Sequence, residues 1–276
     1  MIQFPNGKIN LGLQIMAKRQ DKFHDIETVF YPIHLVDALE FIPAQAFQIS
    51  TSGISMDVHP ADNIIVKAYD LVKKDFPQLP LLHIQLLKKI PTGAGLGGGS
   101  SDATFMLKML NEYFKLELTD SNLQQYAIQL GSDCPFFLKN KPCRGSGRGE
   151  ILEEIKLDLS AYSFVLIKPS VHISTAWAFS QLTISQPLKL PHEIVQQPIS
   201  TWKEELINDF EIPIFKEFPD LKNIKSELYQ LGGIYCSMSG SGSTLYGIFE
   251  THSITQIKKA IQENKMFKQK EIFYLD

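Results

Sequence analysis

The chain has 276 residues, 44% of them hydrophobic and 21% charged, with a formal net charge of −3. That balance describes a globular protein of one large or two ordinary domains, and it carries no basic footprint for nucleic acid. No apolar run approaches the length of a membrane span, the N-terminus does not read as a signal peptide, and three cysteines without a Cys-x-x-Cys pair argue against a disulfide framework. The expectation is a reduced, cytoplasmic protein that binds neither nucleic acid nor membrane.

The first strand is read from Ile9, Leu11, Leu13 and Ile15, which alternate with Lys8, Asn10, Gly12 and Gln14 to give one apolar and one polar face. Further strands are expected from about Ile26 to Leu35 and from Ala38 to Ile42. The spacing of Ile65, Tyr69 and Val72 predicts a helix over Asp62 to Lys74. Leu81 to Ile90 is extended and stops at Pro91.

A glycine-rich loop follows, then helices over Asp102 to Phe114 and Leu123 to Leu130, the latter closed by Gly131 as its C′ residue. Cys143 to Gly149 reads as a second glycine-rich turn. Composition shifts near residues 155–160, so two domains are expected, over 1–158 and 159–276. The second holds a strand over Ser163 to Pro169 and helices over Thr175 to Leu182, Trp202 to Phe210 and Asp220 to Leu231. A long loop is expected between Leu182 and Ser200, where prolines cluster. Two extended segments around Ser237 to Thr244 make a hairpin, and a helix from Ser253 to Glu263 and a strand from Glu271 to Leu275 end the chain. Without strict βαβ alternation the class is α+β.

Pro91-Thr-Gly-Ala-Gly-Leu-Gly-Gly-Gly-Ser-Ser101 sets five glycines (Gly93, Gly95, Gly97, Gly98, Gly99) within seven residues, directly before a helix starting at Ser100 or Ser101. Glycine lets backbone N–H groups approach an anion without a Cβ in the way, and a helix N-terminus adds unpaired donors. Together they form a phosphate cradle. The Walker A pattern fails because no lysine follows the glycines. The dinucleotide fingerprint is met formally by Gly93, Gly95 and Gly98, yet the preceding segment carries charges where a central strand is apolar, and no acidic residue ends a second strand about 20 residues on.

The third pattern, Pro-x-x-x-Gly-Leu-Gly-Gly-Gly-Ser followed at once by a helix, resembles the second motif of the GHMP kinase superfamily. Ser237-Met-Ser-Gly-Ser-Gly-Ser-Thr244 is similar to that family's third motif, which lies against the phosphate loop, and a plain hairpin turn explains this segment alone equally well. Lys8-Ile-Asn10-Leu-Gly12-Leu resembles the first motif, and Gly131-Ser-Asp133-Cys-Pro135-Phe-Phe the segment that supplies the catalytic aspartate. Read without the family, Lys8 is an ordinary strand lysine and Asp133 an Asx turn ahead of Pro135.

The resemblance implies a two-domain GHMP kinase fold, ribosomal-protein-S5-domain-2-like at the N-terminus and ferredoxin-like at the C-terminus, in a monomer or weak homodimer. It implies phosphoryl transfer from ATP, with Mg2+, to the hydroxyl of a small molecule, here a cytidine diphosphate-linked methylerythritol. Asp133 is the implied general base, and Lys8 its electrostatic partner, reaching toward the transferred phosphate. Pro91, Gly93, Gly95, Leu96, Gly97, Gly98, Gly99, Ser100, Ser101 and Gly240 would hold the nucleotide, Asn63 its adenine, and the Ser100 hydroxyl would stand near the metal. On the acceptor side the resemblance implies Asn10, Phe23, His24, Phe30, Lys88 and Phe179. His24 would read the cytosine edge, Phe23 and Phe179 would sandwich the ring, Phe30 would shape the wall, and Lys88 would contact the diphosphate or help bound the cytidine site. Read without the family, His24 is an ordinary half-exposed histidine, and Phe30 and Phe179 are core residues. Two departures stand out: Lys22-Phe23-His24 replaces the family's usual Gly-Tyr-His, and Asp102 brings a carboxylate close to the phosphates.

Overall fold

The structure, a computed structural model, describes residues 1–55, 62–182, 184 and 187–275. The chain divides into two units, each built from several stretches of sequence. Met1–Lys8, Pro32–Thr92 and Gly97–Lys141 form the first, and Ile9–Tyr31, Gly93–Leu96 and Pro142–Asp276 the second.

The opening elements are β1 (Ile2–Gln3), β2 (Asn6–Lys18), β3 (His24–Val36), β4 (Ala38–Ala44), β5 (Gln48–Gly53), α1 (Ile64–Asp75), β6 (Leu81–Lys88), α2 (Gly98–Phe114), α3 (Asp120–Leu130) and α4 (Phe136–Lys139). In the first unit β1, β4, β6 and β5 form a sheet in the order β1-β4-β6-β5, with β5 and β6 parallel and α1 between them in sequence. β6 shows why it is a strand: Leu82, Ile84 and Leu86 are buried while Leu81, Gln85 and Leu87 are exposed, a period of two. Each such buried aliphatic contributes about 1.5–3 kcal/mol. Helix α1 turns Ile65, Ala68, Tyr69 and Val72 inward as one stripe.

Helix α2 begins at Gly98, earlier than the serines where the sequence suggests it. Gly97 stands before it at φ 69°, and Ser101 N–H donates to Gly97 O at 2.9 Å, so the glycines themselves make the first turn. Close packing explains this use of a poor helix former, since a Cβ at Gly98 would meet Ile90 Cγ2 at 2.8 Å. Gly131 does follow α3, but at φ 167° it is extended backbone, not a left-handed C′ residue.

The remaining elements are β7 (Cys143–Ser146), β8 (Ile151–Glu154), β9 (Tyr162–Lys168), α5 (Thr175–Ser180), α6 (Pro191–Ile194), α7 (Trp202–Glu205), α8 (Glu211–Glu217), α9 (Pro219–Gln230), β10 (Tyr235–Met238), β11 (Leu245–Glu250), α10 (Ile254–Glu263) and β12 (Glu271–Leu275). The second glycine-rich turn is thus a hairpin, β7 with β8, and it extends a sheet of order β2-β3-β7-β8. A second antiparallel sheet has the order β10-β11-β9-β12. With α9 between β9 and β10 and α10 between β11 and β12, this is a ferredoxin-like arrangement. Its core gathers Val165, Ile167, Phe210, Ile224, Leu228, Met238, Leu245, Phe249 and Ile257.

Two expectations change here. The polar face of β2 is not open: Lys8, Asn10 and Gln14 are all buried, each with a partner, because other elements cover that side of the strand. The helix expected over Trp202 to Phe210 ends at Glu205. Leu206 is extended, and residues 207–209 pair with β2 instead: Leu13 N–H donates to Ile207 O at 2.9 Å and Asp209 N–H to Leu13 O at 2.8 Å. Strand pairing with a distant segment has overridden the helical periodicity.

Candidate active site

In the first unit, Lys8 Nζ lies 3.2 Å from Asp133 Oδ2; the lysine side chain is 4% exposed and the aspartate 35%. The pair is therefore held from one side and reachable from the other. Gly97 makes room for it, since a Cβ there would sit 3.0 Å from Lys8 Cγ and from Phe137 Cζ. Asp133 stands in the turn between α3 and α4. Thr104 Oγ1 lies 2.8 Å from Ser100 O and 2.9 Å from Cys134 O, tying the aspartate's neighbour to the first turn of α2. Burial pushes the Cys134 thiol up to about 11, so this cysteine is packing and not a nucleophile.

The loop takes Gly93, Gly95 and Gly97 left-handed, at φ 63°, 80° and 69°. Pro91, Leu96, Gly98 and Ser101 are buried, Gly99 and Ser100 are partly open, and Gly93 is exposed. Asn63 caps α1, its Oδ1 accepting from Ile65 N–H at 2.9 Å.

Lys88 is placed differently from the expectation. It is 1% exposed, and its ammonium is enclosed by Asp37 and by Asp102 Oδ2 at 2.8 Å. Asp37 Oδ1 in turn accepts from the backbone N–H of Lys89 and of Ile90, just before the loop. No surface of Lys88 is left to reach a diphosphate, because two buried carboxylates need its charge more. Asp102 is likewise buried, its carboxyl pushed up by burial against the pull of Lys88, and it does not stand open beside the loop.

In the second unit, the Ser/Gly turn between β10 and β11 packs on the loop. Ser239 Oγ donates to Gly95 O at 2.8 Å, Thr244 N–H to Ala94 O at 3.3 Å, and a Cβ at Gly240 (φ 57°) would lie 3.5 Å from Gly95 Cα. Asn10 N–H donates to Ser239 Oγ at 3.2 Å, and the Asn10 side chain to Thr28 Oγ1 at 3.0 Å.

The aromatic residues form a partly open wall. The His24 ring stacks on Phe179, with centroids 4.8 Å apart and planes at 19°, and Phe179 meets Phe210 edge-on. Burial, and then the charge of Lys18, hold the His24 imidazole below its ordinary value, which favours a neutral ring able both to donate and to accept. Phe23 is 49% exposed, and the Arg148 guanidinium lies 3.8 Å from its ring centroid. Phe30 is 1% exposed beneath Gly145 and Gly149, so it is core and not wall. Arg148, a cation among the glycines of the second glycine-rich turn, joins the candidate residues through this contact.

A lysine–carboxylate pair beside a glycine loop on a helix N-terminus is the layout of a phosphoryl-transfer site. The GHMP kinases N terminal domain matches residues 63–141, and GHMP kinases C terminal matches residues 193–265. The chain is 51% identical to a 4-diphosphocytidyl-2-C-methyl-D-erythritol kinase of Bacteroides fragilis, over 90% of this chain and 92% of that protein. This chain belongs to the GHMP kinase family. The kinase of the same name from Porphyromonas gingivalis is 45% identical over 90% of this chain and 92% of its own length. A solved 4-(cytidine 5'-diphospho)-2C-methyl-D-erythritol kinase matches at a TM-score of 0.82 and 28% identity, covering 100% of this GHMP kinase and 99% of that chain. A homoserine kinase from Cytophaga hutchinsonii matches at 0.71 and 14% identity, covering 99% and 95%, and so shares the fold. The α+β, two-domain GHMP kinase fold implied by the motifs is the fold of this chain.

Proposed function

We propose that this GHMP kinase phosphorylates the 2-hydroxyl of 4-diphosphocytidyl-2-C-methyl-D-erythritol with ATP, a step of non-mevalonate isoprenoid precursor biosynthesis. The observation that carries the substrate is the 51% identity to the Bacteroides fragilis kinase over nine-tenths of the chain. The Lys8–Asp133 pair supports the chemistry. Asp133 accepts the hydroxyl proton as the acceptor oxygen bonds to the γ-phosphorus and the bond to the ADP oxygen breaks. Lys8 offsets the charge gathering on the transferred phosphoryl group.

The loop residues and Gly240 hold the nucleotide in this reading, with Asn63 near adenine. Among the described residues no cluster of three or more His, Cys, Asp or Glu could hold a metal. In this reading Mg2+ accompanies the nucleotide's phosphates, and the partly open Ser100 hydroxyl stands near it. His24 and Phe179 serve the cytosine, Phe23 closes the wall from Arg148's side, and Asn10 borders the acceptor. No helix of the described residues is long and apolar enough to cross a membrane, and the proposed setting is the cytoplasm. The boundary between residues 158 and 159 belongs to the same proposal, and the two matched family regions fall on either side of it.

The test is ADP release with Mg-ATP and 4-diphosphocytidyl-2-C-methyl-D-erythritol, run beside homoserine, mevalonate and galactose. Turnover with the cytidine compound alone is expected; turnover with another acceptor instead would keep the kinase and discard the substrate. Phe179→Leu preserves bulk but loses the stacking face. A base stack contributes about 1–3 kcal/mol, so KM for the acceptor rises about 5- to 150-fold while KM for ATP holds. An unchanged acceptor KM would remove Phe179 from the base site.

A further inference from the structure

Asn208 is an asparagine 1% exposed in the second unit, and its hydrogen-bonding groups are aimed at one place. The two hydrogens of Nδ2 go to Met238 O at 2.7 Å and Gly240 O at 2.9 Å, and Oδ1 accepts from Phe210 N–H at 3.0 Å. The amide thus spends both of its donor hydrogens on the Ser/Gly turn and an acceptor position on its own segment. Glu211, three residues on, repeats the pattern. Its Oε1 accepts from Ser237 Oγ at 2.9 Å and from Met238 N–H at 2.8 Å, while Oε2 pairs with Lys225 at 2.5 Å.

Burying an amide and a carboxylate costs free energy that a leucine would avoid, and the cost is offset only when every bond is made. Here the bonds hold two stretches that lie 30 and 32 residues apart along the chain in fixed relation. The segment 207–209 is fastened to β2 by the Ile207 and Asp209 backbone bonds and by Ile15 N–H donating to Asp209 Oδ2 at 2.8 Å. The turn it grips touches the loop with almost no slack, since a Cβ at Gly95 would lie 2.0 Å from Ser239 O. A shift of a few tenths of an ångström in the turn is therefore felt at Gly95.

We infer that Asn208, assisted by Glu211, is a positioning residue for ATP binding: it fixes the height of the Ser237–Gly240 turn against loop residues 93–96. The inference rests on the ATP reading above.

The test is Asn208→Asp, which keeps the shape and the Oδ1 acceptor but presents an oxygen to two carbonyl oxygens. KM for ATP rises about tenfold or more, while kcat and the acceptor KM stay within about threefold. Asn264→Ala is the control. It deletes another side-chain bond of the same unit, Asn264 Nδ2 to Glu227 Oε1 at 2.7 Å, and it lowers Tm without moving KM for ATP. If Asn208→Asp does not fold, Asn208→Ser retains an acceptor for Phe210 N–H and cannot bridge both carbonyls; the same rise in KM is expected. An unchanged KM for ATP in the folded variant overturns the inference, as does an equal rise in Asn264→Ala. A wild-type protein that binds no ATP overturns the ATP reading itself.

Discussion

Asp133→Asn lowers kcat by about 10²–10⁴-fold, the usual contribution of a positioned general base. Asparagine has the same shape and still offers an oxygen to Lys8, 3.2 Å away in the native pair, so the loop and the fold are retained. What it lacks is basicity: the proton of the acceptor hydroxyl has nowhere to go as the bond to phosphorus forms. On the proposed role as general base, kcat falls while KM for ATP changes little. Steady-state ADP release, with circular dichroism to establish folding, measures this. An undiminished kcat in a folded variant would show that Asp133 takes no part in proton transfer.

Gly95→Ala produces the second large effect, by a different route. The added methyl would lie 2.0 Å from Ser239 O, 2.9 Å from Ser239 C and 3.3 Å from Gly242 O. These are backbone atoms, so no rotamer change relieves the clash, and φ of 80° adds the left-handed penalty of roughly 1–2 kcal/mol. The turn and the loop must separate, and KM for ATP rises about 100-fold or more, the consequence of losing several positioned donors at once. Gly232→Ala is the comparison. That residue is also left-handed, at φ 94°, but nothing lies within 4 Å of its would-be Cβ. It should pay only the conformational penalty, seen as a lower Tm with ATP binding intact. If the two variants bind ATP alike, contact with Ser239 is not what glycine serves at position 95.

Both effects involve residues that the sequence singled out, but for reasons of different reach. Asp133 and Lys8 are singled out by motif, and they stand 3.2 Å apart. Phe30 and Lys88 are expected at the ligand and Asp102 near the phosphates, but all three are buried. In each case a single sequence shows the residue type but not its cover: Phe30 lies under Gly145, more than a hundred residues on, and Lys88 meets Asp37, 51 residues before it. Asn208 was lost inside a helical periodicity that ends at Glu205. Its bonds to Met238 and Gly240 span 30 and 32 residues, and nothing local announces them.

The sequence by itself determined the glycine loop, the strands of alternating burial such as β6, the final strand Glu271–Leu275 and the family. These follow from conformational preferences and periodicities that a few neighbouring residues set among themselves. Only the tertiary structure decided which polar side chains of β2 are enclosed, that His24 stacks on Phe179, and that Lys88 is held by two carboxylates. A buried charge or amide takes whichever partner the fold brings within about 3 Å, and that choice is made across the chain, not along it.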